Sequence, residues 1–122
     1  MTVKIIAEIG VNHDGDPSKA HQLIDCAKRC GADAVKFQLF SARELEPLGE
    51  RRAMLQGLEL NAAVHVNLMG NAESIGLEYI CTPFSVRALT WLVTTGVKTI
   101  KIGSGNNMDE DLLRAAALSE CN

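Results

Sequence analysis

The sequence predicts an α/β protein of four consecutive β-α units, equivalent to half of a TIM (β/α)8 barrel. Two observations support this fold class: short, β-branched apolar segments alternate with amphipathic helical segments, and glycines stand where the helical segments end. Such alternation implies parallel strands joined by right-handed crossovers. A complete barrel typically needs about 250 residues, so 122 residues supply half of one, and a small open sheet also fits the pattern.

The first unit begins with residues 3–9, a mostly apolar segment typical of a strand that is buried on both faces. The helix that follows is predicted to begin at Pro17 with Asp16 as its N-cap, because proline fits the first helical position without losing a hydrogen bond. Gly31 is placed to end this helix in the left-handed conformation.

The second unit repeats this arrangement with a longer connection. Residues 33–40 are predicted to form its strand, and residues 61–75 a helix that ends at Gly76. The intervening residues 41–60 are long for a strand-to-helix connection, which is typical of functional lids and insertions.

The third and fourth units complete the series. Residues 77–81 and 97–102 are predicted to be strands, and the helix between them is expected to be capped by Ser85 and to end at Gly96. Asn107 with Glu110 resembles a capping box, which predicts the start of the last helix.

The composition is that of an ordinary globular domain, with 47% hydrophobic and 22% charged residues. A net charge of -3, the lack of a basic stripe, and an aromatic set of one Trp, one Tyr and three Phe argue against a nucleic-acid partner. The sequence has neither an apolar run long enough for a bilayer nor a signal-peptide pattern at its N-terminus. We therefore expect a cytoplasmic protein with no membrane partner.

Cysteine and histidine spacing predicts neither a disulfide framework nor a metal site. The cysteines are expected to be buried free thiols, and the four-residue spacing of the first two is not that of a zinc knuckle. The histidines are scattered and form no recognisable ligand set. The residues concerned are Cys26, Cys30, Cys81, Cys121, His13, His21 and His65.

Each predicted strand delivers a polar group to its C-terminal end, where parallel α/β proteins bind ligands. Lys36 and Gln38 are two residues apart in one strand and therefore share a face. Every strand contributes at least one such side chain: Glu8, Lys36, Gln38, Thr82 and Lys101, with Ser104 in the Gly103-Ser104-Gly105 turn.

The charges of this set favour an anion as ligand. Two lysines among apolar residues are costly to bury unless a negative group meets them. The glycine-rich turn is expected to lead into a helix N-terminus, whose free N–H groups attract phosphate or carboxylate. Thr82 adds a hydroxyl donor, and Glu8 could pair with a lysine or exchange a proton.

Structural roles remain alternatives for each residue. Lys36 and Lys101 could each pair with Glu8 or with another carboxylate, which would make Glu8 a counter-ion. The turn glycines and Thr82-Pro83 could serve only to shape their turns, and Asn12-His13 could brace the first loop.

Four ordered motifs resemble the N-acetylneuraminate (sialic acid) synthase family, whose members also make legionaminic and pseudaminic acids. They are residues 7–15 (AEIGVNHDG), residues 31–38 (GADAVKFQ), residues 82–85 (TPFS) and residues 101–105 (KIGSG). The resemblance spans nearly the whole chain. It implies that residues 1–122 form the N-terminal part of the barrel domain, with the C-terminal half-barrel and an antifreeze-like domain absent.

The resemblance implies a transferase that condenses phosphoenolpyruvate with N-acetylmannosamine or a related sugar aldehyde and releases phosphate. A divalent metal, Mn²⁺ or Mg²⁺, and a homo-oligomeric assembly are also implied; the metal ligands are not expected in this chain. By the same resemblance, Lys36, Thr82, Lys101 and Ser104 would hold the carboxylate and phosphate. Gln38 would face the sugar, Phe84 would wall the pocket, and Glu8 would lie beside the reacting groups as the catalytic carboxylate.

One position departs from the family pattern, because Asn106 stands where the family usually has an acidic residue. A neutral amide cannot exchange a proton as a carboxylate does. This departure supports an alternative hypothesis, a non-catalytic, self-associating half-barrel that binds an anion. A different phosphoenolpyruvate-condensing or aldolase-type barrel is a third hypothesis, against which Asn12-His13 and residues 82–84 argue.

Overall fold

A computed structural model of the protein describes residues 3–122 and contains one four-stranded sheet. All strands are parallel and lie side by side in the order in which they occur in the chain. The strands are β1 (Ile6–Gly10), β2 (Ala34–Leu39), β3 (Glu78–Pro83) and β4 (Thr99–Ile100). The predicted fold class, four β-α units of a half-barrel type, is confirmed.

Helices separate the strands and cover one face of the sheet. The helix termini have local causes: the side chains of Asp16 and Ser85 accept hydrogen bonds from backbone N–H groups of the first turn. Gly96 ends its helix with a φ of 90°. The helices are α1 (Pro17–Arg29), α2 (Ala42–Leu45), α3 (Arg52–Leu58), α4 (Ala62–Ser74), α5 (Val86–Thr95) and α6 (Glu110–Ala117).

Three features near the end of the chain differ from the sequence prediction. The N-cap of α6 is Asp109, whose carboxylate accepts a hydrogen bond from Leu112 N at 3.0 Å, so the predicted capping box of Asn107 and Glu110 is wrong. A short 3₁₀ turn (Ser104–Asn106) includes most of the glycine-rich segment 103–105, which therefore does not lead directly into the helix. The fourth strand is much shorter than residues 97–102, although Lys101 N still donates to Cys81 O.

The hydrophobic core lies between the sheet and the helices. Val35 and Phe37 of β2 are fully buried there and pack with Ile24 of α1, Leu68 of α4 and Leu92 of α5. Because side chains alternate along a strand, the intervening residues of β2 point to the opposite face.

That opposite face is polar and is defined by the strand register. Glu8 lies beside Lys36, and Gln38 lies beside Thr82. We call these four residues the polar face of the sheet. In β1 the register shifts between Glu8 and Gly10, a bulge-type irregularity that follows the last charged residue of that strand.

The four cysteines are free, but three of them are not buried as predicted: Cys121 is partly buried and two others are exposed. Cys26 and Cys30 are exposed because the buried stripe of α1 consists of Ala20, Ile24 and Ala27, which leaves both thiols outside it. Cys81 is buried, as expected. Among residues 3–122, no helix is long and apolar enough to cross a lipid bilayer.

Candidate functional site

The Lys36 ammonium and the Glu8 carboxylate form an ion pair at the centre of the polar face. The side chain of Lys36 is 14% exposed, whereas that of Glu8 is 47% exposed. The parallel register places the two residues directly opposite each other on neighbouring strands. Glu8 therefore acts as a counter-ion of Lys36, which is one of the two roles that the sequence left open. An anionic ligand would have to contact Lys36 on the side that faces away from Glu8.

Gln38 extends the site toward the C-terminal ends of the strands. A Cβ atom built on Gly10 would lie 3.1 Å from Glu8 Oε1 and 3.4 Å from Gln38 Nε2, so the carboxylate and the amide converge above this glycine. Gly10 also has a φ of 55°, a conformation that other residues rarely adopt. A side chain at this position would occupy the space between the two functional groups.

Thr82 presents a hydroxyl group that has no hydrogen-bond partner within the described part of the chain. The residue is 2% exposed, and most buried polar groups in folded proteins are hydrogen-bonded. Leaving such a group unpaired costs about 1–3 kcal/mol, which a ligand oxygen could recover. Among the residues on this face, Thr82 is therefore the strongest candidate for a hydrogen bond to a ligand.

The loop after β4 passes close to the side chain of Thr82. A Cβ atom on Gly103 would lie 3.5 Å from Asn106 Oδ1 and 3.6 Å from Thr82 Cγ2. The amide oxygen of Asn106 and the methyl group of Thr82 therefore lie on the same side of Gly103. The Thr82 hydroxyl takes no part in this contact.

The remaining predicted site residues are less closely gathered. Lys101 is exposed. It follows Thr99 by two residues and therefore lies on the same face of the sheet as Thr99, which pairs with Ile80 of β3. Ser104 is exposed in the 3₁₀ turn. Phe84 is half-buried and packs edge-to-face against Phe40, with ring centroids 6.0 Å apart. These three residues border the polar face without a direct contact to Glu8 or Lys36 among the described interactions.

The long connection, residues 41–60, is anchored to loops on both sides of the β2 end. The hydroxyl of Ser85 donates to Glu44 Oε2 at 2.9 Å, which ties α2 to the start of α5. On the other side, a Cβ on Gly15 would lie only 2.1 Å from the Gly57 carbonyl oxygen. The sequence prediction missed Glu44 and Gly57, and the length of the connection is the one signal that points to them.

A second group of titratable residues is buried on the helix-packed face. His65 Nδ1 and the Tyr79 hydroxyl are 2.6 Å apart, and His13 stacks on Phe37 with centroids at 6.2 Å. Burial lowers the pKa of His13, and burial together with the charge of His13 lowers the pKa of His65 to about 4. Gly15 N donates to His13 Nδ1, so His13 braces the first loop, as one sequence interpretation proposed.

No set of three His, Cys, Asp or Glu side chains within residues 3–122 is arranged to hold a metal ion. His13 and His65 are buried against Phe37, and His21 pairs with Asn71. Residues 3–122 therefore supply no such set for the divalent metal that the family resemblance implies, and that metal stays a prediction.

Comparison with known proteins identifies relatives across almost the whole chain. Residues 23–121 match the NeuB family. The chain is 41% identical to N,N'-diacetyllegionaminic acid synthase of Legionella pneumophila, over 86% of this chain and 34% of that protein. It is 32% identical to N-acetylneuraminate-9-phosphate synthase of Mus musculus, over 93% of this chain and 35% of that protein. The chain thus spans about a third of the length of these curated relatives.

Solved structures agree with this assignment. N-acetylneuraminic acid (sialic acid) synthetase from Leptospira borgpetersenii, in complex with citrate, has a TM-score of 0.87 and 33% identity to this chain. The match covers 96% of this chain and 41% of that one. The sequence motifs, the strand order and the relatives lead to the same conclusion: the chain belongs to the NeuB family.

Proposed function

We propose that the chain supplies the N-terminal half of the active site of a sialic acid synthase-type transferase. The enzyme would condense phosphoenolpyruvate with N-acetylmannosamine or a related sugar aldehyde, forming a nonulosonic acid and releasing phosphate. The observation that carries the proposal is the buried, unpartnered hydroxyl of Thr82 next to the lysine-bearing polar face. The names of the relatives support the substrate class.

The charged and the uncharged residues of the site would make different contacts with phosphoenolpyruvate. Lys36 and Lys101 would neutralise the carboxylate and phosphate of phosphoenolpyruvate, and Thr82 and Ser104 would donate hydrogen bonds to their oxygens. The Leptospira relative was solved with citrate, another carboxylate-bearing anion. Because Glu8 already neutralises part of the charge of Lys36, the ligand would be held by the whole set rather than by one strong ion pair.

The sugar would approach beside this anion site. Gln38 would hydrogen-bond to the sugar and Phe84 would form part of the pocket wall, while Glu8 would lie beside the reacting groups. In the implied reaction, the methylene carbon of phosphoenolpyruvate forms a bond with the aldehyde carbon. Water adds at the adjacent carbon, and cleavage of the carbon–oxygen bond releases phosphate. We also propose that the whole protein is cytoplasmic and homo-oligomeric.

Calorimetric titration of the folded chain with phosphoenolpyruvate tests the anion half of the proposal. Binding is expected, and both Lys36→Ala and Lys101→Ala are expected to abolish it. Lys98→Ala removes an exposed lysine just before β4 and should leave binding unchanged. A folded chain that does not bind phosphoenolpyruvate, or that binds it equally well without Lys36, would contradict the proposal.

Asn106 favours a second candidate function, a non-catalytic anion-binding half-barrel. The amide cannot exchange a proton, although it lies next to Thr82 across Gly103. The two functions differ in sugar binding. The transferase requires N-acetylmannosamine to bind the chain saturated with phosphoenolpyruvate, with loss of binding in Gln38→Ala. The non-catalytic function requires anion binding without any response to the sugar.

A further inference from the structure

A second concave site lies on the outside of the half-barrel, away from the polar face. It is a cavity of about 660 Å³ between α2, the start of α4 and one side of α5. This volume falls within the range of about 300–1,000 Å³ that is typical of small-molecule sites. Its apolar wall includes Leu39, Phe40, Leu60 and Trp91.

The lining of the cavity carries two carboxylates and one guanidinium group, and the guanidinium is the most exposed of the three. The lining includes Glu44, Glu59 and Arg87. The Arg87 side chain is 89% exposed and lies 3.7 Å from the Glu44 carboxylate, which is 38% exposed. Glu59 is half-buried and accepts a hydrogen bond from Ala42 N through Oε1 alone. The interior of the cavity therefore carries an excess of negative charge.

The two threonine hydroxyl groups that line the cavity already use their protons and are left as acceptors. Thr90 Oγ1 donates its proton to Val86 O at 2.9 Å, and Thr94 Oγ1 donates to Thr90 O at 2.8 Å. Each oxygen then has only lone pairs to offer a ligand. Glu59 Oε2 has no hydrogen-bond partner within residues 3–122, and together with the threonine oxygens it favours a ligand that donates several hydrogen bonds.

From this lining we propose that the cavity binds an organic ammonium ion with an apolar or aromatic body. The ammonium group supplies the donors that the carboxylates and threonine oxygens lack, and the indole face of Trp91 attracts a cation. The apolar body would lie against Phe40 and Leu60. The inference is independent of the proposed transferase function, because none of the lining residues belongs to the polar face.

The chain provides its own probe for this site, since Trp91 is the only tryptophan. Titration with phenethylammonium is expected to change the Trp91 fluorescence in a saturable way. The neutral analogue 2-phenylethanol should bind about tenfold more weakly, because it lacks the charge and two of the donors. Equal affinity for the two compounds, or the absence of saturable binding, would overturn the proposal.

Two variants locate the binding site. Glu59→Gln removes the charge but retains an acceptor for Ala42 N, and it should weaken phenethylammonium binding about tenfold. Thr94→Phe should abolish binding by filling the cavity, with circular dichroism confirming the fold. Glu73→Gln, an exposed change at the far end of α4, is the matched charge control and should bind normally.

Substitution at the polar face separates this proposal from the transferase. Lys36→Ala should abolish phosphoenolpyruvate binding while phenethylammonium binding persists. If Lys36→Ala instead abolishes the fluorescence response to phenethylammonium in a folded chain, the ammonium site is not the cavity beside Trp91 and the inference fails. An unchanged affinity in Glu59→Gln has the same consequence.

Discussion

His65 and Tyr79 form a buried polar pair, with the imidazole Nδ1 2.6 Å from the phenolic oxygen. Burial raises the pKa of Tyr79 well above its ordinary value, so the hydroxyl keeps its proton, and the tautomer of His65 decides which of the two groups donates the hydrogen bond. The second ring nitrogen of His65, Nε2, is buried and has no partner within the described part of the chain. The pair therefore links α4 to β3 at the expense of one unsatisfied group.

Removing one partner of this pair should lower the free energy of unfolding more than removing both partners. Tyr79→Phe leaves His65 Nδ1 unpaired and is expected to lower the free energy of unfolding by about 1–3 kcal/mol. The double variant His65→Leu/Tyr79→Phe should recover part of that loss, because no polar atom of the pair then remains buried. Urea denaturation of the single and double variants measures the coupling, and strictly additive effects would contradict it.

The stability of the chain should decrease as the pH falls through the titration range of His65. Its folded pKa of about 4 lies below the ordinary 6.5, so the unfolded chain binds the proton more readily. The contribution of the neutral imidazole to the free energy of unfolding is complete above pH 6.5. It is lost as the pH falls from 6.5 to about 4. The shift corresponds to about 3 kcal/mol.

Comparison of variants isolates this effect from the carboxylates that titrate in the same range. The difference in unfolding free energy between the wild type and His65→Gln should shrink as the pH is lowered. Parallel pH profiles for the wild type and His65→Gln would show that another group carries the effect.

Thr82→Val should separate stability from ligand binding. The substitution removes an unpartnered buried hydroxyl and keeps the shape, so the chain is expected to become more stable by about 1 kcal/mol. Binding of phosphoenolpyruvate should weaken at the same time. Thr99→Val is the matched control, because its hydroxyl donates to Glu78 Oε1 at 2.6 Å and its loss should destabilise the chain. Thermal denaturation and calorimetric titration of both variants test the contrast.

Gly15→Ala is expected to displace α3 from the first loop. Gly15 and Gly31 both have positive φ values, 74° and 82°, but only Gly15 has an atom in the way of a Cβ, the Gly57 carbonyl oxygen at 2.1 Å. Gly31→Ala should therefore cost about 1–2 kcal/mol from backbone strain alone. Gly15→Ala should cost clearly more in chemical denaturation and should increase proteolysis within residues 41–60. Equal costs for the two variants would exclude the steric contribution.

The thiols should react in an order set by exposure. Cys26 and Cys30 are exposed, whereas burial raises the pKa of the Cys81 thiol to about 12. A disulfide reagent at neutral pH should modify the first two rapidly and Cys81 only at the rate of unfolding. Mass spectrometry of the labelled peptides checks this order, and early labelling of Cys81 would contradict its buried position.

Local signals made much of the fold predictable. Asp16 and Ser85 cap helices through short-range hydrogen bonds, and Gly31, Gly76 and Gly96 adopt positive φ values after helices. The helices of residues 41–60 escaped prediction because they are only four and seven residues long. Segments this short lack a full hydrophobic period, and they depend on tertiary contacts such as those of Glu44 and Gly57.

The site was predictable in its composition and less so in its geometry. Alternation along a strand was sufficient to place Lys36 and Gln38 on one face. The pairing of Lys36 with Glu8 depends on the register between two strands, and the isolation of the Thr82 hydroxyl depends on every neighbour around it. Such relationships arise between distant parts of the chain, and spacing within one segment does not contain them.

The sequential strand order has a consequence for how the chain acquires its structure during synthesis. Each strand pairs with the one made just before it, so no β-α unit must wait for a distant segment. The first two units can bring Glu8 and Lys36 together while the third is still on the ribosome, since chains emerge N-terminus first. The four residues of the polar face thus lie on strands that can pair in the order of translation.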